Sequence, residues 1–209
     1  MITSLPSIAV LIDCWKSPVP GDALSKCFNN IINFLDATES ITTVVLATYN
    51  CKTERFTSDS IWAQNNVLMC TNPIRKKILC LNEAYNYYYN YDNNKNYPLE
   101  ETDPIILNYI NSNKHQISMN WWWELEYYLL LHPEIKNIYF FGMAWEGCVR
   151  YRPLGYEAVI EEAPHLNILT NSKCILSEIH SVPTYIENDP NWQCIDTDIY
   201  LYQPTPLSI

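Results

Sequence analysis

Five consecutive apolar residues, Ile8-Ala9-Val10-Leu11-Ile12, run straight into a carboxylate at Asp13. A strand with one wet face alternates apolar and polar residues. A run with no polar position needs cover on both faces, which is the condition of a central strand in a parallel sheet. Helices must therefore lie on both sides of it. Asp22 is placed to cap a helix whose apolar positions Leu24, Phe28, Ile31, Ile32 and Leu35 follow the 3.6-residue period. Residues 43–47, Thr-Val-Val-Leu-Ala, predict a second buried strand, and 78–81 a shorter third. A helix is expected over 118–131, halted by Pro133, then a strand over 137–141 ending at Gly142 and another over 156–160. Strands alternating with helices predict an α/β fold: a three-layer α/β/α arrangement around a central, mostly parallel sheet with right-handed crossovers. In such sheets ligands collect at the carboxyl ends of the strands, where Asp13 and the 142–148 turn would both lie.

The chain's 209 residues, 48% of them hydrophobic and 17% charged, suit one domain spanning 1–209 with a substantial core. A formal charge of −10 opposes binding to a nucleic-acid backbone or an anionic membrane, since both attract Lys and Arg. Eight cysteines without a C-x-x-C pair or a ligand spacing with His indicate free thiols in a reducing, cytoplasmic setting and no metal site. The run at 8–12 is too short for a signal peptide or a membrane span. With four glycines there is neither G-x-G-x-x-G nor a Walker-type loop, so no nucleotide or other cofactor is expected.

Two regions depart from the alternation. Residues 85–97, Y-N-Y-Y-Y-N-Y-D-N-N-K-N-Y, read as a long exposed loop with a lid or partner-contact role as one option. After Pro164, strand-like runs at 167–176 and 195–202 form a C-terminal extension (163–209) that edges the sheet or packs on a second subunit.

Three segments carry chemistry: A-V-L-I-D at 9–13, K-H-Q-I-S-M-N-W-W-W-E-L at 114–125, and G-M-A-W-E-G-C-V at 142–149. In this order and spacing they resemble the isochorismatase-like cysteine hydrolases. That family has an apolar first strand ending in Asp, a later Lys before a helix, and a Gly-x-x-x-x-x-Cys-Val turn after a later strand. The resemblance is clearest over 7–162. It implies the Rossmann-like fold of those hydrolases and a catalytic set of Asp13, Lys114 and Cys148. It further implies an oxyanion hole from the backbone N–H groups of Ala144 and Cys148, with a cis peptide at 143–144, and assembly into homo-oligomers.

The three residue types answer a physical need. An ordinary thiol, with a pKa of about 8.5, is only a few per cent thiolate at neutral pH, and a neighbouring ammonium lowers that pKa. Lys114 would serve Cys148 in this way. Asp13 would carry the thiol proton to a leaving amine, a role worth about 10²–10⁴ in rate. A nucleophilic Cys148 favours a small amide, ureido or carbamoyl substrate, cleaved at C–N through a thioester. Trp145 and Glu146, inside the turn, and Arg150, just after it, are candidate substrate contacts. Arg150 pairing with Glu157 is the plainer option, and Glu146 is expected to point away from the thiol, whose pKa it would raise.

After the Cys-Val the family carries a longer helix than the C-V-R-Y-R-P-L-G-Y found here, which contains Pro153. The shortened wall supports an alternative: a catalytically inactive member of the fold that serves as a binding or structural component. The segment T-Y-N-C-K-T-E-R-F lacks the histidine of the superfamily's metal-dependent nicotinamidases. A flavodoxin-like binder would need a phosphate loop where C-W-K-S-P-V-P stands. The three consecutive tryptophans 121–123 cannot share one helix face at 100° per residue, so one or two pack in the core.

Overall fold

The structure, a computed structural model, describes residues 2–14, 22–47, 103–119, 122–143, 145–151, 154–177 and 186–204. The expected strand at 78–81, the tyrosine-rich loop at 85–97 and the segment after the second strand lie outside these residues, as do Ala144 and Arg152.

The first strand, β1 (Ser7–Ile12), is buried along its whole length between β2 (Ile41–Ala47) and β4 (Asn137–Gly142), parallel to both. Successive side chains of a strand point to opposite faces, so the unbroken apolar run feeds two cores at once. Ile8, Val10 and Ile12 enter one, with Ile138 and Phe140 of β4. Ala9 and Leu11 enter the other, with Tyr139 and Phe141. Helices α1 (Asp22–Ala37) and α2 (Pro104–Asn113) cover the Ala9–Leu11 face through Phe28, Ile31, Leu35, Ile106 and Ile110. On the opposite face lie α3 (Trp122–Leu131) and α4 (Tyr156–Glu162), which contribute Trp122, Leu125, Tyr128, Tyr156 and Val159. The result is three layers, α/β/α.

Among the described residues seven strands form the sheet in the order β3-β2-β1-β4-β5-β7-β6, where β3 is His115–Ser118, β5 Asn167–Asn171, β6 Trp192–Asp196 and β7 Ile199–Tyr202. The first five are parallel, β7 runs antiparallel to β5, and β6 antiparallel to β7. From β1 the chain builds outward through β2 to β3, then returns to the other side of β1 as β4. The order therefore reverses between β1 and β4, and in open α/β sheets ligands collect above the carboxyl ends of the strands at such a point.

Three elements differ from the sequence expectation. The helix expected from 118 begins at Trp122, because His115–Ser118 instead pairs with residues 43–46 of β2 as an edge strand. Residues 156–160, rich in aromatic and β-branched side chains, are helical and not extended. Tyr156, Val159 and Ala163, spaced three and four apart, all reach the core, and this period outweighs local β-propensity. The run at 195–202 folds as a hairpin, turning through Thr197 and Asp198, and the C-terminal extension completes the sheet edge.

A polar network ties the amino ends of the strands. Asn137 Nδ2 donates to Ile2 O (2.7 Å) and Ser7 Oγ (3.2 Å), and Asn137 Oδ1 accepts from Asn167 Nδ2 (2.9 Å). No described helix is long and apolar enough to cross a membrane.

Candidate active site

Asp13 follows β1 directly. Its N–H donates to Ala47 O (3.1 Å), extending the ladder by one bond, and its backbone then turns into the left-handed region at φ 52°. Asp is one of few residues besides Gly that enter this region, because its short side chain can hydrogen-bond locally. The side chain is 1% exposed. Gly142, in register with Ile12, ends β4 at φ 128°. A Cβ there would lie 2.0 Å from Ile12 O, so only glycine lets the two strand ends approach this closely. Met143 N–H then donates to Ile12 O (3.2 Å).

Beyond Gly142 the chain enters a single π-helical turn, Trp145–Val149. Such turns are rare and concentrate at functional sites. This one is pinned by the segment that follows β5, with Trp145 N–H donating to Leu176 O (2.8 Å) and Leu176 N–H to Gly142 O (3.1 Å). Trp145 and Val149 are buried at its ends, Glu146 is exposed, and Gly147 and Cys148 are half-buried between them. Cys148 packs against the core that holds Ile12, Trp145 and Val149. Three of the chain's four glycines, at 142, 147 and 155, fall in this segment. Asp13 and the Cys148 turn thus leave adjacent strand ends at the point where the strand order reverses.

Lys114 is not brought to them. It closes α2 and precedes β3, and its Nζ donates to Ile41 O (3.0 Å) at the first residue of β2. Asp13 is bonded to Ala47, the last residue of that strand, six positions and about 20 Å along at ~3.3 Å per residue. The expectation of a Lys leading into a helix fails on connectivity. The four residues after Lys114 form β3, so Lys114 enters that strand at its amino end instead of leaving it at the carboxyl end.

The proposed substrate contacts sort differently. Trp145 is 4% exposed and stacks on Tyr156 and Trp192, with ring centroids 5.1 and 5.2 Å away, so it is a core residue and not a pocket wall. Arg150 Nε donates to Glu157 Oε1 (2.5 Å) and its guanidinium lies over Tyr151, 4.8 Å from the ring centroid, the pairing named as the plainer option. Glu146 faces solvent.

A residue not singled out from the sequence is Glu124, in the first turn of α3 and 4% exposed. Since α3 starts just past the carboxyl end of β3, Glu124 is a second buried carboxylate on this side of the sheet. In sequence it reads as an ordinary acidic residue favoured by the helix dipole.

Among the described cysteines the environment is selective. Burial, with Cys27 and the Asp13 carboxylate nearby, pushes the Cys14 thiol well up, and burial does the same to Cys174 and takes Cys27 to about 12. These three are protonated and inert at neutral pH. Cys194 is exposed on β6, far along the sheet. Only Cys148 combines partial access with the switch-point position. Among the described residues no group of His, Cys, Asp and Glu is arranged to hold a metal ion.

Comparison with protein-family models, with curated proteins and with solved structures finds no match to this chain.

Proposed function

We propose that the chain is a cysteine hydrolase that cleaves a C–N bond of a small amide, ureido or carbamoyl compound, with Cys148 as nucleophile and Asp13 as proton carrier. The observation that carries this reading is the placement of both residues at the reversal of strand order, on backbone held in unusual conformations at Asp13, Gly142 and the Trp145–Val149 turn. The resemblance of segments 9–13 and 142–149 to the isochorismatase-like hydrolases supports it from a separate direction.

Lys114 has no part in this version. Asp13 takes the Cys148 proton as sulfur attacks the carbonyl carbon, so the negative charge of the carboxylate passes to the carbonyl oxygen of the tetrahedral intermediate. The proton goes to the leaving nitrogen as the C–N bond breaks, and amine or ammonia departs from a thioester. Water then attacks the thioester, giving up a proton to Asp13, and the acid product leaves as the thiol is re-formed.

The position of Lys114 favours a second reading, in which the fold has kept the carboxyl ends of its strands for binding but not for turnover. Site-resolved alkylation as a function of pH, on the wild type and on Asp13→Asn, separates the two. A hydrolase predicts that Cys148, with Asp13 taking its proton, reacts at pH 7 faster than exposed Cys194 and slows at least about tenfold in Asp13→Asn. A Cys148 that reacts no faster than Cys194, and equally in both proteins, refutes catalysis and leaves binding.

A further inference from the structure

The turn carrying Cys148 is short, and a five-residue π-turn has little stability of its own. Its fixed end is Trp145, whose ring packs on Tyr156 of α4 (5.1 Å) and Trp192 of β6 (5.2 Å). Trp192 meets Tyr156 edge-on at 5.4 Å and is backed by Tyr202 of β7 at 5.3 Å. Trp192 and Tyr202 are also paired across the β6–β7 ladder, so the hairpin presents them as one unit. Rings at these separations attract beyond their buried area, by about 0.5–1.5 kcal/mol per pair. Trp145 thus rests on a hairpin at the far edge of the sheet, separated from β4 by β5.

We infer that Trp192 is a positioning residue for Cys148: through Trp145 it holds the Trp145–Val149 turn so that Cys148 sits half-buried beyond the carboxyl end of β4, where the strand order reverses. This deepens the cysteine-hydrolase reading and rests on Cys148 being the reacting group. The β6–β7 hairpin is then part of the site's support, not a decorative edge.

Iodoacetamide alkylation of the full chain, read at each cysteine by mass spectrometry across pH, tests it with internal controls. Buried Cys14, Cys27 and Cys174 report global opening, and exposed Cys194 reports the reagent's intrinsic rate. Trp192→Leu is expected to raise the Cys148 rate about tenfold and bring its pH midpoint to that of Cys194 while the buried thiols stay protected. Trp192→Phe, which keeps a ring, is expected to return both to within about twofold of wild type. An unchanged Cys148 rate and midpoint in a still-folded Trp192→Leu overturns the assignment. If the buried thiols react in that variant, Tyr202→Leu decides, since half-buried Tyr202 backs both Trp192 and Tyr156 from the last position of β7. A rise of about threefold at Cys148 supports positioning, and no change overturns it. A Cys148 that reacts no faster than Cys194, and equally in wild type and Asp13→Asn, sinks the hydrolase reading alone, because the rate comparison still measures what Trp192 holds in place.

Discussion

Replacing Gly142 with alanine tests whether the close approach of β1 and β4 is as demanding as the geometry indicates. The new Cβ would sit 2.0 Å from Ile12 O and 3.0 Å from Ile12 C, more than an ångström inside ordinary contact with the carbonyl oxygen. The obstacle is backbone of a strand buried along its whole length, so it cannot rotate aside as a side chain would. Relief requires the strand ends to separate, which breaks the Met143 N–H to Ile12 O bond at a cost of about 1 kcal/mol. Forcing a non-glycine residue to φ 128° adds about 1–3 kcal/mol, and residual overpacking about 1–3 more. Against this, alanine restricts the unfolded chain and returns about 0.4–1 kcal/mol. The terms span about 2–6.5 kcal/mol and centre on a loss of about 3–5 kcal/mol, against the ~5–15 kcal/mol of a typical domain's stability. Urea unfolding followed by tryptophan fluorescence gives the figure directly, as a midpoint lower by about 1.5–2.5 M for a slope near 2 kcal/mol/M. A loss under about 1 kcal/mol would show that the strand ends part easily, and would remove the close approach as a reason for glycine.

Lys114→Ala is expected to leave the Cys148 alkylation midpoint unchanged, since about 20 Å exceeds the ~8 Å screening length, and to cost about 1–2 kcal/mol in urea unfolding through the lost bond to Ile41 O. A shift of half a unit or more in that midpoint would place Lys114 at the site after all. Asn137→Ala should cost about 2–3 kcal/mol, because Ile2 O, Ser7 Oγ and Asn167 Nδ2 lose a buried partner together, and a cost near zero would show the network to be dispensable. In alkali, the native Cys27 thiol holds its proton to about 12 against an ordinary 9.0, so its contribution is complete below pH 9 and is lost as pH rises from 9 toward 12. Stability measured at pH 8 and 10 should fall, and in Cys27→Ala the fall should be smaller by about 1.4 kcal/mol per unit of pH above 9; an unchanged slope refutes the assignment.

What could be read from the chain was set by how local each signal is. Burial of residues 8–12 on both faces follows from the absence of any polar position, and the α1 stripe from its period, though Cys27 was not counted among its core positions. Buried Cys14, Cys27 and Cys174 behave as small hydrophobes on the α1–α2 face, which composition cannot distinguish from reactive thiols. Residues 156–160 misled because β-branched and aromatic side chains suit either a strand or a buried helix. Only the longer span to Ala163 reveals the helical period. Lys114 misled for a deeper reason. Spacing along the chain counts residues, but a strand advances about 3.3 Å per residue and a helix 1.5 Å, so equal spacing can deliver a side chain to opposite ends of a sheet. Trp145 illustrates the converse, since its neighbours Trp192 and Tyr202 lie some fifty residues on and enter through strand pairing.

The two ends of the sheet are built by different rules, and that difference bears on function. At the amino ends, polar groups are spent on one another: Ser7, Asn137 and Asn167 share bonds, and Lys114 holds Ile41 O. Such an edge adds stability and offers little to a ligand. At the carboxyl ends of β1 and β4 the balance reverses. The left-handed residue at Asp13 and the glycine-only backbone at Gly142 end neighbouring strands, and the π-turn bearing Cys148 follows Gly142 directly in the chain, with Asp13 and Glu124 buried on this side of the sheet. Each of these costs stability that a purely structural sheet end would avoid, and substitutions that relieved them would be expected to accumulate wherever nothing opposed them. Their concentration at the reversal of strand order accords with the proposed use of Asp13 and Cys148. For the same reason, Asp13→Asn should leave the fold as stable as the wild type or more so while altering the reactivity of Cys148, which urea unfolding and alkylation on the same samples measure together. A variant both less stable and unchanged at Cys148 would mean that Asp13 belongs to the scaffold alone.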